Sequence, residues 1–275
     1  MKVILYNNKE KDYGGHCINA LIEQLNLNGI EYEILNDEDL NKSASADALY
    51  AIGGDGTILY LAEYANKNNI PIIGINAGKL GFLCEFERNE IQDSVQLLLS
   101  GKYIKDRRLM LEVSHDNKKY YALNDLYIQR TYDCSLGNMV AEIRIDIDGV
   151  SVAQFKGDGA IISTPTGSTA YSFSLGAPIL APNVSAFIMT PIAAHSFNQR
   201  PVVYAANSSC KINVSGKASV GVFVDGRYVE RLHDNESLEI SCMKSVVTFL
   251  RKVDYNFFSR LSKKLYKNTD GEDNG

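Results

Sequence analysis

One carboxylate lies inside a run of glycines, at Gly53-Gly54-Asp55-Gly56-Thr57. The apolar stretch Ala48-Leu49-Tyr50-Ala51-Ile52 precedes it, and Ile58, Leu61, Ala62 and Ala65 follow on one face at helical spacing. The run therefore occupies the carboxyl end of a strand entering a helix, where α/β proteins place their ligands. Glycines let a backbone approach a ligand closely, and the free N–H groups of a helix start favour phosphate. Gly53, Gly54, Gly56 and Thr57 are accordingly candidate phosphate contacts. A carboxylate repels phosphate, so Asp55 needs another task, either holding Mg²⁺ or accepting the proton of an attacking hydroxyl. The plainer alternative is a tight turn whose Asp caps the helix. Neither common nucleotide fingerprint is present: there is no G-x-x-x-x-G-K-[ST], and Gly14-Gly15 does not complete G-x-G-x-x-G.

A second segment, Gly157 to Ser174, joins an apolar strand at Ala160–Ile162 to a loop dense in small hydroxyls. Thr164-Pro165-Thr166-Gly167 is turn chemistry, and Ser168-Thr169 can cap a short following helix. Hydroxyls and open amides suit a base edge or a phosphate. A capped turn within a β region is the alternative on residue types alone.

The elements that must position these groups come in two styles. Up to about residue 107, short apolar runs (Val3–Tyr6, Tyr32–Leu35, Ala48–Ile52, Ile70–Ile75) alternate with helical patterns. One of these carries Cys17, Ile18, Leu21, Ile22 and Leu25. Another carries Ile91, Val95, Leu98 and Leu99, with Asn89 as its expected cap. Such alternation predicts a Rossmann-like open parallel sheet with helices on both faces. From Arg108 on, period-two patterns at Leu109–Val113, Ile143–Ile147, Val220–Val224, Leu238–Ile240 and Val246–Leu250 predict a mostly β domain, with Asp148-Gly149 as a type I′ turn. The helix carrying Phe257, Phe258, Leu261 and Leu265 is expected to return to the first domain. The expected division is residues 1–107 plus 251–267 as the α/β domain and 108–250 as the β domain, with 268–275 as a loose tail.

Composition excludes several classes. With 28 Lys and Arg against 33 Asp and Glu the net charge is −5, which argues against nucleic acid as a partner. Five dispersed cysteines with no C-x-x-C pair form neither a disulfide framework nor a zinc site. The N-terminal apolar run is too short for a signal peptide, and no stretch approaches the roughly 20 apolar residues of a membrane span. The expected setting is cytoplasmic.

Several motifs in order resemble those of the NAD kinase family: Gly53–Thr57, Gly74-Ile75-Asn76-Ala77-Gly78-Lys79-Leu80-Gly81-Phe82-Leu83, Asn124-Asp125, Asp158 to Tyr171, Thr190–Ser196, Arg200-Pro201 and Asp225-Gly226-Arg227. Asp125 stands where the family usually has Glu, and Ala193-Ala194 replace the more typical Cys-Pro. The resemblance implies transfer of the γ-phosphoryl of ATP, or of polyphosphate in some members, to the 2′-hydroxyl of the adenosine ribose of NAD. It implies Asp55 as the catalytic residue. For NAD it implies Gly56, Phe82, Asn124, Asp125, Asp158, Thr166, Thr169, Ala170, Tyr171, Ser174, Ala193, His195 and Asp225. His195 is equally open to reading as a satisfied buried histidine. Lys79, Lys156 and Arg200 are further candidates for offsetting phosphate charge. A divalent metal, Mg²⁺ first, is expected with ATP, its protein ligands unassigned, and NAD is a substrate, not a redox cofactor. A homodimer or homotetramer is expected, without membrane or nucleic-acid partners. The alternatives are a lipid kinase of the diacylglycerol type, which would share the glycine loop but not Thr164–Tyr171, and an NAD-binding sensor without transfer activity.

Overall fold

The computed structural model describes residues 1–78, 81–131, 140–196, 198–216 and 218–265. The chain divides into two compact units, Met1–Arg107 with Val247 onward, and Arg108–Val246.

In the first unit the strands are β1 (Lys2–Asn7), β2 (Glu31–Ile34), β3 (Ala48–Gly53), β4 (Ile72–Asn76), β5 (Phe86–Glu87) and β6 (Ile104–Arg108), joined near the chain's end by β19 (Val247–Arg251). Their order is β2-β1-β3-β4-β19-β6, with β5 also on β4. The β1–β2, β1–β3, β3–β4, β4–β5 and β4–β19 pairs are parallel. Alternation along β3 sorts its two faces. Tyr50 and Ile52 join α1 (His16–Leu27) and α3 (Ile91–Ser100) through Leu21, Leu25 and Val95. The opposite face takes α2 (Asp55–Asn68), whose Ile58 Cδ1 would lie 2.7 Å from a Cβ at Gly74. Helices thus cover both faces, and no helix among the described residues is long and apolar enough to cross a membrane.

Three local expectations change. The strand at Val246–Leu250 pairs with β4 in this sheet and not with the β unit. Phe249 and Leu250 are both buried, so the strand is covered on both faces, as an inner strand of an α/β sheet must be. The cap expected at Asn89 is instead a capping box at Glu87 and Glu90, in which the Glu90 carboxylate accepts the Glu87 amide at 2.9 Å. Leu99, placed on the apolar face by spacing, is 39% exposed. The C-terminal helix, α5 (Phe257–Leu265), has no fully buried residue; it meets the first unit through Arg260 and Lys264.

The second unit is built of two six-stranded antiparallel sheets. Its strands are β7 (Leu111–His115), β8 (Lys118–Ala122), β9 (Asp125–Arg130), β10 (Ala141–Ile147), β11 (Val150–Gly157), β12 (Gly159–Ser163), β13 (Ala186–Ile192), β14 (Val202–Ala205), β15 (Cys210–Ser215), β16 (Val220–Val224), β17 (Arg227–Leu232) and β18 (Ser237–Cys242). One sheet runs β11-β10-β15-β18-β7-β8 and the other β14-β13-β12-β9-β16-β17. Alternate residues of both, among them Ile143, Ile145, Ile212, Leu126, Ile128, Val220 and Val222, form one core. Asp148-Gly149 and Asp225-Gly226 have positive φ at both residues (49° and 77°, 47° and 77°), the geometry a two-residue type I′ hairpin requires.

Candidate functional site

Strand β3 ends in the glycine run, and a side chain at Gly53 would collide with the Thr57 hydroxyl. That hydroxyl is engaged from behind, accepting a hydrogen bond from Asn8 Nδ2 at 3.0 Å. Asn8 follows β1, the strand beside β3, and so braces the loop; the sequence reading missed it. Its signal was position, a polar residue just past the carboxyl end of a neighbouring parallel strand. A Cβ at Gly54 or Gly56 would meet nothing within 4 Å, which leaves their backbone open to a ligand.

Asp55 is the first residue of α2, yet it does not cap its own helix. Its carboxylate reaches across to the loop after β4 and accepts the amides of Phe82 (2.6 Å), Leu83 (3.0 Å) and Cys84 (3.3 Å). The helix-cap alternative therefore fails. Gly81 is part of the arrangement, because a Cβ there would fall on the carboxylate itself. Phe82 contributes its amide to Asp55, and its ring lies 5.9 Å from Lys264 Nζ. Behind the loop, Arg251 donates to the Leu83 carbonyl at 2.5 Å and Arg260 donates to the carbonyls of Phe82 and Cys84. Lys79 lies outside the described residues.

In the second unit the residues after β8 and after β12 interlock. The Asp225 carboxylate, at the β16–β17 turn, accepts the amides of Leu123 (2.9 Å), Asn124 (2.8 Å) and Asp125 (3.1 Å). Thr164 donates its amide to the Asn124 carbonyl (2.8 Å) and its hydroxyl to the Leu123 carbonyl (2.6 Å). Gly167 sits where any Cβ would strike the Asn124 carbonyl. Asp225 is thus committed to holding Asn124-Asp125 in place. Asn124 Oδ1 is buried with no hydrogen-bond partner, an acceptor left open. Asp125 is 4% exposed; burial first, then the Asp225 carboxylate, pushes its carboxyl up to about 7. Burial likewise pushes Asp225 up, to about 6, against the pull of its three amides.

The hydroxyl-rich loop continues around this turn. Thr166 Oγ1 accepts from Arg108 at 3.3 Å, and Thr169 Oγ1 donates to the Thr166 carbonyl at 3.3 Å. Ser168 does not cap a helix: its hydroxyl donates to the Pro165 carbonyl (2.7 Å) and accepts the Leu180 amide (3.0 Å). Ala170 and Tyr171 are half-buried and Ser174 is exposed at the end of α4 (Tyr171–Ser174). The Tyr171 ring stands edge-on to Tyr127, which stacks on Phe223 with centroids 4.6 Å apart. Burial, then Asp125, then Asp158 raise the Tyr171 phenol, so both carboxyls lie within its electrostatic reach.

Asp158 pairs with Arg130 Nε at 2.6 Å. Exposed His195 donates its amide to the carbonyl of exposed Lys156 at 2.8 Å. Its exposure overturns the buried-histidine alternative. Ala193 is exposed with φ +45°. Exposed Arg200 helps line a cleft of about 450 Å³ with Gly176, Thr190, Ser196 and Gln199. The geometry directly links Asn124 and Asp125 to Asp225, and Thr166 to Thr169, the two sets meeting as one group through Thr164 and Gly167. Tyr171 and Asp158 adjoin that group, while Lys156, Ala193, His195 and Arg200 form a separate, exposed set. Among the described residues no three His, Cys, Asp or Glu side chains converge as a metal site.

Comparison with known proteins gives a consistent result. Residues 9–103 match the ATP-NAD kinase N-terminal domain and residues 124–251 the ATP-NAD kinase C-terminal domain. The NAD kinase of Caldicellulosiruptor bescii is 33% identical over 266 residues, 96% of this chain and 99% of that protein. The NAD kinase of Burkholderia thailandensis is 35% identical over 230 residues, 82% of this chain and 76% of that one. Among solved structures, an NAD kinase from Archaeoglobus fulgidus in complex with ATP superposes with a TM-score of 0.78 at 25% identity, covering 96% of this chain and 98% of that one. Yeast NADH kinase complexed with NADH shares the fold, with a TM-score of 0.82 at 22% identity over 100% and 89% of the two chains.

Proposed function

The chain belongs to the ATP-NAD kinase family and acts as an NAD kinase, and on that premise we propose how its residues divide the work. Asp55 accepts the proton of the 2′-hydroxyl of the adenosine ribose of NAD as that oxygen attacks the γ-phosphoryl of ATP. The observation that carries this reading is the Asp55 carboxylate held on three loop amides beside open glycines, not folded onto its own helix. Phosphoryl transfer passes through a loose transition state, so the protein mainly positions groups and balances charge. A hydroxyl is a weak nucleophile at neutral pH, and a carboxylate that takes its proton late contributes roughly 10²- to 10⁴-fold.

The glycine backbone at Gly53, Gly54 and Gly56, together with Thr57, cradles phosphate at the start of α2. Asn124 Oδ1, buried and unpartnered, accepts a ribose hydroxyl, and Asp125, which keeps its proton to about pH 7, donates to or accepts from another. Thr166, Thr169, Ala170, Tyr171 and Ser174 line the adenine and ribose contact, with Asp158 beside Tyr171, and Phe82 is a further NAD contact. Ala193 and His195 serve the nicotinamide end. Lys79, Lys156 and Arg200 offset phosphate charge. Asp225 acts as a positioning residue for Asn124-Asp125.

A divalent cation finds no ready cage among the described residues. Mg²⁺ usually binds through substrate phosphates with one or two carboxylates, so it enters with ATP, where it would screen phosphate charge. Polyphosphate as a second donor, self-association as a dimer or tetramer, and a cytoplasmic setting complete the reading. The test is NADP formation from NAD and ATP with the purified chain, with Asp55→Asn assayed beside it. Wild-type formation of NADP that persists at full rate in Asp55→Asn would remove Asp55 from the chemistry. Light scattering reads the assembly, and a pure monomer would sink that part.

A further inference from the structure

The loop after β4 is gripped from two sides by charge. On one side its amides at Phe82, Leu83 and Cys84 all donate to the Asp55 carboxylate. On the other, its carbonyls at Phe82 and Cys84 accept from Arg260, and its carbonyl at Leu83 accepts from Arg251. We propose that Arg260, on the C-terminal helix, is a positioning residue for Asp55, acting through this backbone. The proposal rests on the reading of Asp55 as the proton acceptor.

The coupling follows from peptide geometry. The Phe82 carbonyl and the Leu83 N–H belong to one planar trans peptide and point in opposite directions. Arg260 fixes the first and Asp55 receives the second. The next peptide repeats the pattern, with Arg251 on the Leu83 carbonyl and Asp55 on the Cys84 N–H. Each peptide dipole, about 3.5 D, therefore has its negative end on a guanidinium and its positive end on the carboxylate. Rotating either peptide would break a charge-assisted hydrogen bond at each end. The carboxylate is confined on a further side, because the Gly81 α-carbon leaves it no room to move that way.

Arg is needed here for its fork. Nη1 of Arg260 serves the two carbonyls while Nη2 binds Glu85 at 2.9 Å, a set of donors that a point-charge lysine does not present in one plane. Glu85 in turn pairs with Arg251 at 3.4 Å, so one buried carboxylate aligns both guanidiniums. The two arginines differ in how separable they are from the fold. Arg251 is 0% exposed and also paired with Asp106, so its loss strands buried charge. Arg260 is only partly buried and sits on a helix with no fully buried residue.

The experiment is a double-mutant cycle on the full chain with steady-state kinetics for NAD and ATP. Arg260→Gln is expected to lower kcat about 10- to 100-fold, the scale of a misplaced catalytic group, with both KM values changed less than about threefold. In an Asp55→Asn background the same substitution is expected to change kcat less than about twofold, because the group it positions is gone. A structural role alone would cost the same factor in both backgrounds, and that result overturns the proposal. So does full kcat in Arg260→Gln while Asp55→Asn is slow. Full kcat in Asp55→Asn itself would instead overturn the underlying reading of Asp55. If Arg260→Gln does not fold by circular dichroism, Arg260→Lys takes its place. An intermediate kcat loss that vanishes in the Asp55→Asn background supports the proposal, and an equal loss in both overturns it.

Discussion

Asp55 and Asp225 solve the same local problem with different consequences. Each sits next to a glycine, and each carboxylate accepts three consecutive backbone amides from a distant segment, 82–84 in one unit and 123–125 in the other. Around Asp55 the surroundings are glycines whose α-carbons face open space and two arginines behind the loop. Around Asp225 they are an interlocked turn and a second buried carboxyl, Asp125, and both acids are pushed up by burial. On the proposed reading, one amide nest holds a carboxylate for chemistry and the other uses it as a staple. What separates the two is the open ground beside it.

The largest expected effect tests the reactive member. Asp55→Asn keeps the shape but removes the base, and kcat should fall on the order of 10²-fold or more with KM for NAD little changed. The staple should fail in the opposite sense. In Asp225→Asn the new amide group must face the Leu123 N–H or the two amides beside it, donor against donor. A buried donor left unpaired costs about 1–3 kcal/mol, so the melting temperature should drop and KM for NAD rise while kcat stays near wild type. If Asp225→Asn lost kcat alone, the two carboxylates would not be different in kind. A smaller change sharpens the contrast: Gly81→Ala places a methyl group on the Asp55 carboxylate, and kcat should fall about 10-fold through misplacement. Unchanged kcat there would show that the carboxylate moves aside at no cost.

How much of this was legible in sequence follows from range. Apolar periodicity located α1, α2, β10 and β16 because burial on one face is a local pattern, and an unbroken apolar run located β3, which is buried on both faces. The type I′ turn at Asp148-Gly149 was legible because its backbone geometry demands those residue types. The strand Val247–Arg251 was placed with the wrong sheet, since its residues read as a strand wherever it pairs and only the fold decides the partner. Asp55 stood out through its glycines, and the family resemblance supplied its role. Nothing local could say that its oxygens would be met by residues 82–84. Asn8, Arg251 and Arg260 were missed for the same reason: their types are ordinary, and their importance lies in contacts with residues 49, 168 and 176 positions away. Asp225 was grouped with ligand contacts, and its hold on the amides of residues 123–125 was not legible for the same reason.

The smallest effect tests the buried acid beside the staple through pH. An unfolded Asp titrates near 3.9, while folded Asp125 titrates at about 7, raised by burial and then by Asp225. Between those values the folded chain binds a proton that the unfolded chain has lost. Stability from this group is therefore fully present below about pH 4 and is lost as pH rises through about 7. Other groups add their own slopes, so the measurement is a difference: melting temperatures of wild type and Asp125→Asn at pH 5.5 and pH 8. Asn has no charge to gain, so the fall from the lower to the higher pH should be smaller in the variant by about 2–4 °C. Removing the neighbouring charge also lowers the repulsion on Asp225, which adds to the same sign. Parallel falls in the two proteins would mean that Asp125 is already ionised at pH 5.5 in the folded state. Burial would then not be what sets the protonation of the acid beside the staple.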